Sequence, residues 1–119
     1  MSHTTNVKLE LKDPDALQAA VERLGLKMGE HGKHKLFSST EEGIPIWLKD
    51  WRYPIIIKDN AEIAMDNYNG SRGKQEMLDE LKQIYGVEKA KIEARRQGYS
   101  FFEARQDNGD IQLTITVGE

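Results

Sequence analysis

Apolar and charged residues alternate over Val7-Lys8-Leu9-Glu10-Leu11, the period of a strand with one wet face. The pattern then changes period: Leu17, Ala20, Val21 and Leu24 share one face of a helix. Asp13 is placed to cap that helix, Pro14 suits its first turn, and Gly25 can end it. A strand is expected from Leu26. The polar run from Gly29 to Lys35 reads as a turn between two short strands, with the apolar signal resuming at Leu36 and Phe37. Ser38 to Gly43 reads as a loop. Ile44–Leu48 and Tyr53–Ile57 look extended, and Pro45 and Pro54 favour edge positions. Asp59-Asn60 makes a turn into Ile63-Ala64-Met65, and the resulting hairpin ends near Tyr68.

Asn69 to Gly73 is the most loop-like stretch, and a long helical pattern follows it. Met77, Leu78, Leu81, Ile84 and Tyr85 share a face. Gly86 costs about 1 kcal/mol relative to alanine in a helix interior, so a bend or break is expected there. The helix then resumes through Ile92 to Gln97 and ends at Gly98. Asn108-Gly109 signals a two-residue hairpin loop, which pairs Ala104 with Leu113 and Phe102 with Ile115. That register makes Phe102, Ala104, Ile111, Leu113, Ile115 and Val117 the core face. It leaves Tyr99 and Phe101 on the face that otherwise carries Glu103, Arg105, Gln112, Thr114 and Thr116. Taken together, the elements predict a single α+β domain over residues 1–119. It is a two-layer sandwich with a mainly antiparallel sheet and two helices on one face, ferredoxin-like in outline.

The length of 119 residues suffices for one independently folded core. With no cysteine, the chain offers no disulfide, thiolate metal site or thiol nucleophile, which fits a cytoplasmic location. Its first residues lack the basic and apolar runs of a secretory leader, and no stretch is apolar enough to span a membrane. A soluble protein without a membrane partner is expected. A net charge of −3, with acidic and basic residues interspersed, gives no general nucleic-acid footprint.

The stretch Tyr85–Val117, "YGVEKAKIEARRQGYSFFEARQDNGDIQLTITV", resembles the domain-of-unknown-function family 1257. That family includes the hypothetical chloroplast reading frame 35 proteins of plastids and cyanobacteria. Tyr85, Lys89, Gln97-Gly98-Tyr99 and the Asp107-to-Leu113 positions carry the likeness, and the Met1-Ser2-His3 start and the Asp-capped helix extend it over the chain. Before its second helix the family commonly has an aspartate, two tryptophans and a glycine. Here the stretch is Asp66-Asn67-Tyr68-Asn69-Gly70, so any site built by those tryptophans is altered. The resemblance implies a small cytoplasmic or stromal protein and no assigned reaction.

Three constellations bear on function. Glu30, His31 and His34 have the atoms for a divalent metal, but Lys33 and Lys35 beside them disfavour a cation, and solvated turn histidines are the expectation. Ser71, Arg72 and Lys74 stand before a helix with the ingredients for anion binding, although the spacing is not that of a P-loop. Trp47, Trp51, Arg52 and Tyr53, together with Tyr99 and Phe101, supply the aromatics and the cation that protein interfaces enrich. No nucleophile–base set stands out, and no catalytic residue, metal or cofactor is assigned. The sequence therefore reads as a non-enzymatic protein-binding or adaptor module that engages another protein or itself. The alternative is nucleic-acid or nucleotide binding through Arg52, Arg72, Lys74 and the aromatics.

Overall fold

The computed structural model describes residues 5–8, 11–60, 62–66 and 74–117, with the backbone alone for 5–8. The first strand, β1 (Thr5–Lys8), starts two residues before the alternating run. Helix α1 (Pro14–Leu24) begins as its sequence dictates: the Asp13 carboxylate accepts from the backbone N–H of Asp15 and Ala16. It ends at Gly25, whose φ of 67° is the left-handed turn that glycine adopts without strain. The Leu26 N–H then reaches back to the Val21 carbonyl, closing the motif.

Next come β2 (Lys27–Met28), β3 (Gly32–Lys35), β4 (Thr40–Trp47), β5 (Ile55–Ile57) and β6 (Glu62–Met65). Two segments read as turn and loop are strand here. Gly32–Lys35 pairs antiparallel with Thr40–Gly43, so β3 and β4 form a hairpin around Leu36–Ser39. Polarity hid this pairing, because β3 carries lysines outward and no apolar face of its own. Together with β1, these strands build one antiparallel sheet in the order β1-β6-β5-β4-β2, with β3 continuing beyond β2 along β4.

Pro45 is the second departure from the pattern, for it lies in the centre of the sheet between β2 and β5. Its carbonyl accepts from the Gly29 N–H. The nitrogen of an extended residue faces the same side as its carbonyl, so the missing donor falls at the break between β2 and β3. A proline is tolerated where the ladder is already interrupted. Two residues earlier, Gly43 packs so closely against β5 that an added Cβ would lie 2.3 Å from the Ile57 carbonyl oxygen.

Helix α2 runs unbroken from Gln75 to Arg96. Gly86 does not bend it; the glycine sits on an exposed face, and the apolar residues on the opposite side hold the helix to the core. Gly98, at φ 76°, turns the chain out of the helix, with the Tyr99 N–H donating to the Ala94 carbonyl at 2.8 Å. The two helices lie against each other over one face of the sheet. Leu17, Val21, Leu78, Leu81 and Ile84 meet Ile46, Ile55, Ile57 and Ile63 there, giving the two-layer α+β arrangement that the sequence predicts. On the opposite face, Leu36 and Tyr53 pack on Ile56 and Ala64.

The C-terminal strands β7 (Ser100–Arg105) and β8 (Ile111–Thr116) form a separate two-stranded sheet docked on the helices. Their loop has three residues, not two. Gly109 N–H donates to the Gln106 carbonyl, Gln106 N–H donates to the Asp110 carbonyl at 2.7 Å, and Gly109 takes φ 91°. This is a turn followed by a left-handed glycine. It pairs Phe101 with Ile115, Glu103 with Leu113 and Phe102 with Thr114. One residue of slip moves every β7 side chain to the other face.

Candidate interaction surface

The slip exchanges the roles of two adjacent phenylalanines. Phe101 turns toward α2, where its ring centroid lies 4.9 Å from the Arg95 guanidinium carbon and 5.7 Å from the Lys91 ammonium. Phe102, expected in the core, faces away from the helices and is 68% exposed. Val117 and Ile115 are also substantially open, at 64% and 41%. The hairpin is therefore the most apolar exposed part of the described chain, and the residue that sequence reasoning assigned to packing is its most prominent feature.

Charge as well as packing fixes the hairpin on the helices. Glu103 of β7 accepts from both arms of the Arg23 guanidinium on α1, one at 3.0 Å, and also pairs with Lys91 on α2. Arg23 donates in addition to Glu88 at 2.9 Å, and Lys91 lies 3.4 Å from the same carboxylate. Two cations and two anions from three elements thus close a network in which each charge has two partners. The hydrogen bonds from Arg23, then from Lys91, hold the Glu103 carboxyl down from 4.5 to about 2. The bond to Glu103 likewise raises the Arg23 pKa above its ordinary value.

The aromatics singled out in the sequence are dispersed. Trp51 is a correction: it is 7% exposed, belongs to the helix–sheet core, and donates its indole N–H to the Lys74 carbonyl at 2.9 Å. It is unavailable to a partner because the chain after β4 folds back under the start of α2. Trp47 is half-buried on the sheet face away from the helices, packed over Gly29 with Lys27 5.2 Å from its ring and His34 edge-on. Tyr53 is half-buried on that same face beside Phe37, their centroids 6.3 Å apart, and Arg52 is exposed. Tyr99 is half-buried at the entry to the hairpin.

The anion-binding stretch can be followed only at its end: Ser71 and Arg72, like Tyr68, lie outside the described residues. Lys74 is exposed at the start of α2 and makes no side-chain cap. The histidines have separate engagements. His31 Nε2 donates to Asp59 at 2.9 Å, and His34 Nε2 donates to the Glu30 carbonyl at 3.2 Å. Among the described residues no three histidine, aspartate or glutamate side chains converge in a way that would hold a metal.

Two depressions accompany these surfaces. An open groove of about 520 Å³ runs between the first turns of α2 and the hairpin tip, lined by Glu76, Asp79, Glu80, Arg105 and Asp110. Its carboxylates repel phosphate. A smaller apolar cleft of about 270 Å³ lies between Leu11, Leu17, Ile44 and Ile57, with Lys58 at its mouth. No helix among the described residues is long and apolar enough to cross a membrane. The chain matches no protein-family model, no curated protein and no solved structure.

Proposed function

We propose that this domain is a non-enzymatic adaptor that binds another protein through the exposed face of its C-terminal hairpin. The observation that carries the reading is Phe102, a large aromatic 68% open to solvent on a strand that ionic and cation–π contacts hold rigidly from behind. Solvent-facing aromatics on a pre-organised element are the anchors that interfaces enrich, because little conformational entropy is lost on docking. Trp47 and Tyr53, on the sheet face away from the helices, and the exposed Arg52 form a secondary patch in this reading. Its likeness to family 1257 and a cytoplasmic location belong to the same proposal.

The test is affinity capture from the native host with the intact chain and its Phe102→Ser variant, with and without nuclease. Loss of a stoichiometric protein with Phe102→Ser, in a variant whose circular dichroism is unchanged, supports the adaptor. Recovery that depends on nucleic acid and is indifferent to Phe102 overturns it in favour of the nucleic-acid reading.

A further inference from the structure

Strand β8 carries the edge of the hairpin that charge leaves unguarded. From Ile111 to Val117 the sequence Ile-Gln-Leu-Thr-Ile-Thr-Val has no charged residue and no proline, whereas β7 carries Glu103 and Arg105. Natural proteins protect an exposed edge with charge, proline or a covering segment, and an edge with none of these is a template for another strand. Among the described residues no strand pairs with the outer edge of β8.

The turn geometry determines which backbone groups that edge presents. Gln106 donates to the Asp110 carbonyl, so the main chain of Asp110, and by alternation that of Gln112, Thr114 and Thr116, faces β7. The N–H and C=O groups of Ile111, Leu113, Ile115 and Val117 face outward. These four also share one side-chain face, the side on which Ile111 packs against the core and Phe101 meets α2.

We propose that the partner for this edge is a second copy of the chain, paired antiparallel with β8 on β8 about a two-fold axis at Thr114. The register sets Leu113 opposite Ile115 and Ile111 opposite Val117, each an outward-facing residue against another. It sets Gln112 opposite Thr116, and Thr114 opposite itself. Apolar side chains thus meet apolar ones and polar side chains meet polar ones along all seven positions, with no like charges opposed. The product is a four-stranded sheet, β7-β8-β8-β7, in place of two hairpins of marginal independent stability. Ile115 and Val117, open in the single chain, become part of a continuous apolar row. Charged β7 strands form both outer edges, so assembly stops at two.

This inference rests on the interaction-module reading of the hairpin but uses its edge instead of the outward face of Phe102, and the two are separable by experiment. Sedimentation equilibrium of the intact protein is expected to give twice the monomer mass of 13.6 kDa. The Ile115→Lys variant is expected to give the monomer mass with unchanged circular dichroism. Because the chain has no native cysteine, the register can be tested directly. Thr114→Cys places two thiols on a non-hydrogen-bonded pair about 4.5 Å apart between Cα atoms, within disulfide range, and is expected to cross-link on mild oxidation. Gln112→Cys places its thiol four residues out of register from its own copy, about 13 Å along the strand, and is expected to stay uncross-linked. The Gln112→Cys/Thr116→Cys double variant should cross-link. A wild type that is monomeric at every concentration, a fibrillar polymer, or equal cross-linking of the Thr114→Cys and Gln112→Cys variants overturns the inference. A monomer that still captures another protein through Phe102 sinks the dimer and leaves the adaptor standing.

Discussion

Glu103 and Arg23, eighty residues apart in the chain, form a two-armed ion pair that joins the C-terminal hairpin to the first helix. The planar guanidinium matches both carboxylate oxygens, a geometry that a lysine at the same position would not reproduce.

Stability should therefore depend on acid in a defined window. The Glu103 carboxyl sits at about 2 in the folded chain and returns to near 4.5 on unfolding, so its contribution is complete above 4.5 and is lost as pH falls toward 2. Glu103→Gln is expected to cost about 1–2 kcal/mol at neutral pH, a discounted figure for a partly exposed network. Denaturant melts of both proteins across that range should converge near the acid end. A constant difference would exclude Glu103 as the titrating group.

The two adjacent phenylalanines should respond oppositely to truncation. Phe101→Ala removes a ring packed under Arg95 and Lys91 and is expected to lower stability by about 2–3 kcal/mol. Phe102→Ala should change stability by no more than about 0.5 kcal/mol, as surface substitutions do. The reverse order in thermal denaturation would restore the two-residue-loop register.

Two glycines, conspicuous for different reasons, invert the usual expectation for glycine-to-alanine changes. At Gly43 the added methyl would meet the Ile57 carbonyl at 2.3 Å, backbone that cannot turn aside, so a loss of at least about 2 kcal/mol is expected. Gly86 has open space around it within a helix interior, so Gly86→Ala should gain about 0.5–1 kcal/mol. Chemical denaturation midpoints measure both.

Trp51→Phe keeps the ring in the core and deletes one hydrogen bond. A loss of about 1–2 kcal/mol is expected, since the Lys74 carbonyl then forfeits its indole partner. Hydrogen exchange should rise first over the opening turn of α2; a uniform rise over the whole chain would argue for a packing defect instead.

Much of this architecture could be read from local chemistry. Asp13, Pro14 and Gly25 bounded α1, and Gly98 ended α2, because caps act through neighbouring backbone groups. The Asn108-Gly109 signal predicts the hairpin, but the faces of β7 are reversed by one position of register. Asn108-Gly109 satisfies both a two-residue and a three-residue loop, and only the Gln106–Asp110 bond distinguishes them. Every surface assignment on β7 inherits that choice. Strand β3 escaped because its pairing depends on β4 and not on an apolar face. The burial of Trp51 escaped because it depends on where α2 begins in space. Helical spacing sets Glu88 and Lys91 side by side on α2, but nothing in the one-dimensional order adds Arg23 and Glu103; three elements must dock before all four charges meet.

The indole of Trp51 gives the molecule an optical gauge of its own assembly. The Lys74 carbonyl accepts from it and from the Met77 N–H at once, so this ring touches the point where α2 is set on the sheet. The only other tryptophan, Trp47, lies on the far face beside Lys27 and His34. Emission from the two therefore reports on opposite sides of one sheet. In a Trp47→Phe background, the wavelength of the remaining fluorophore follows the seating of a single helix, without any external label.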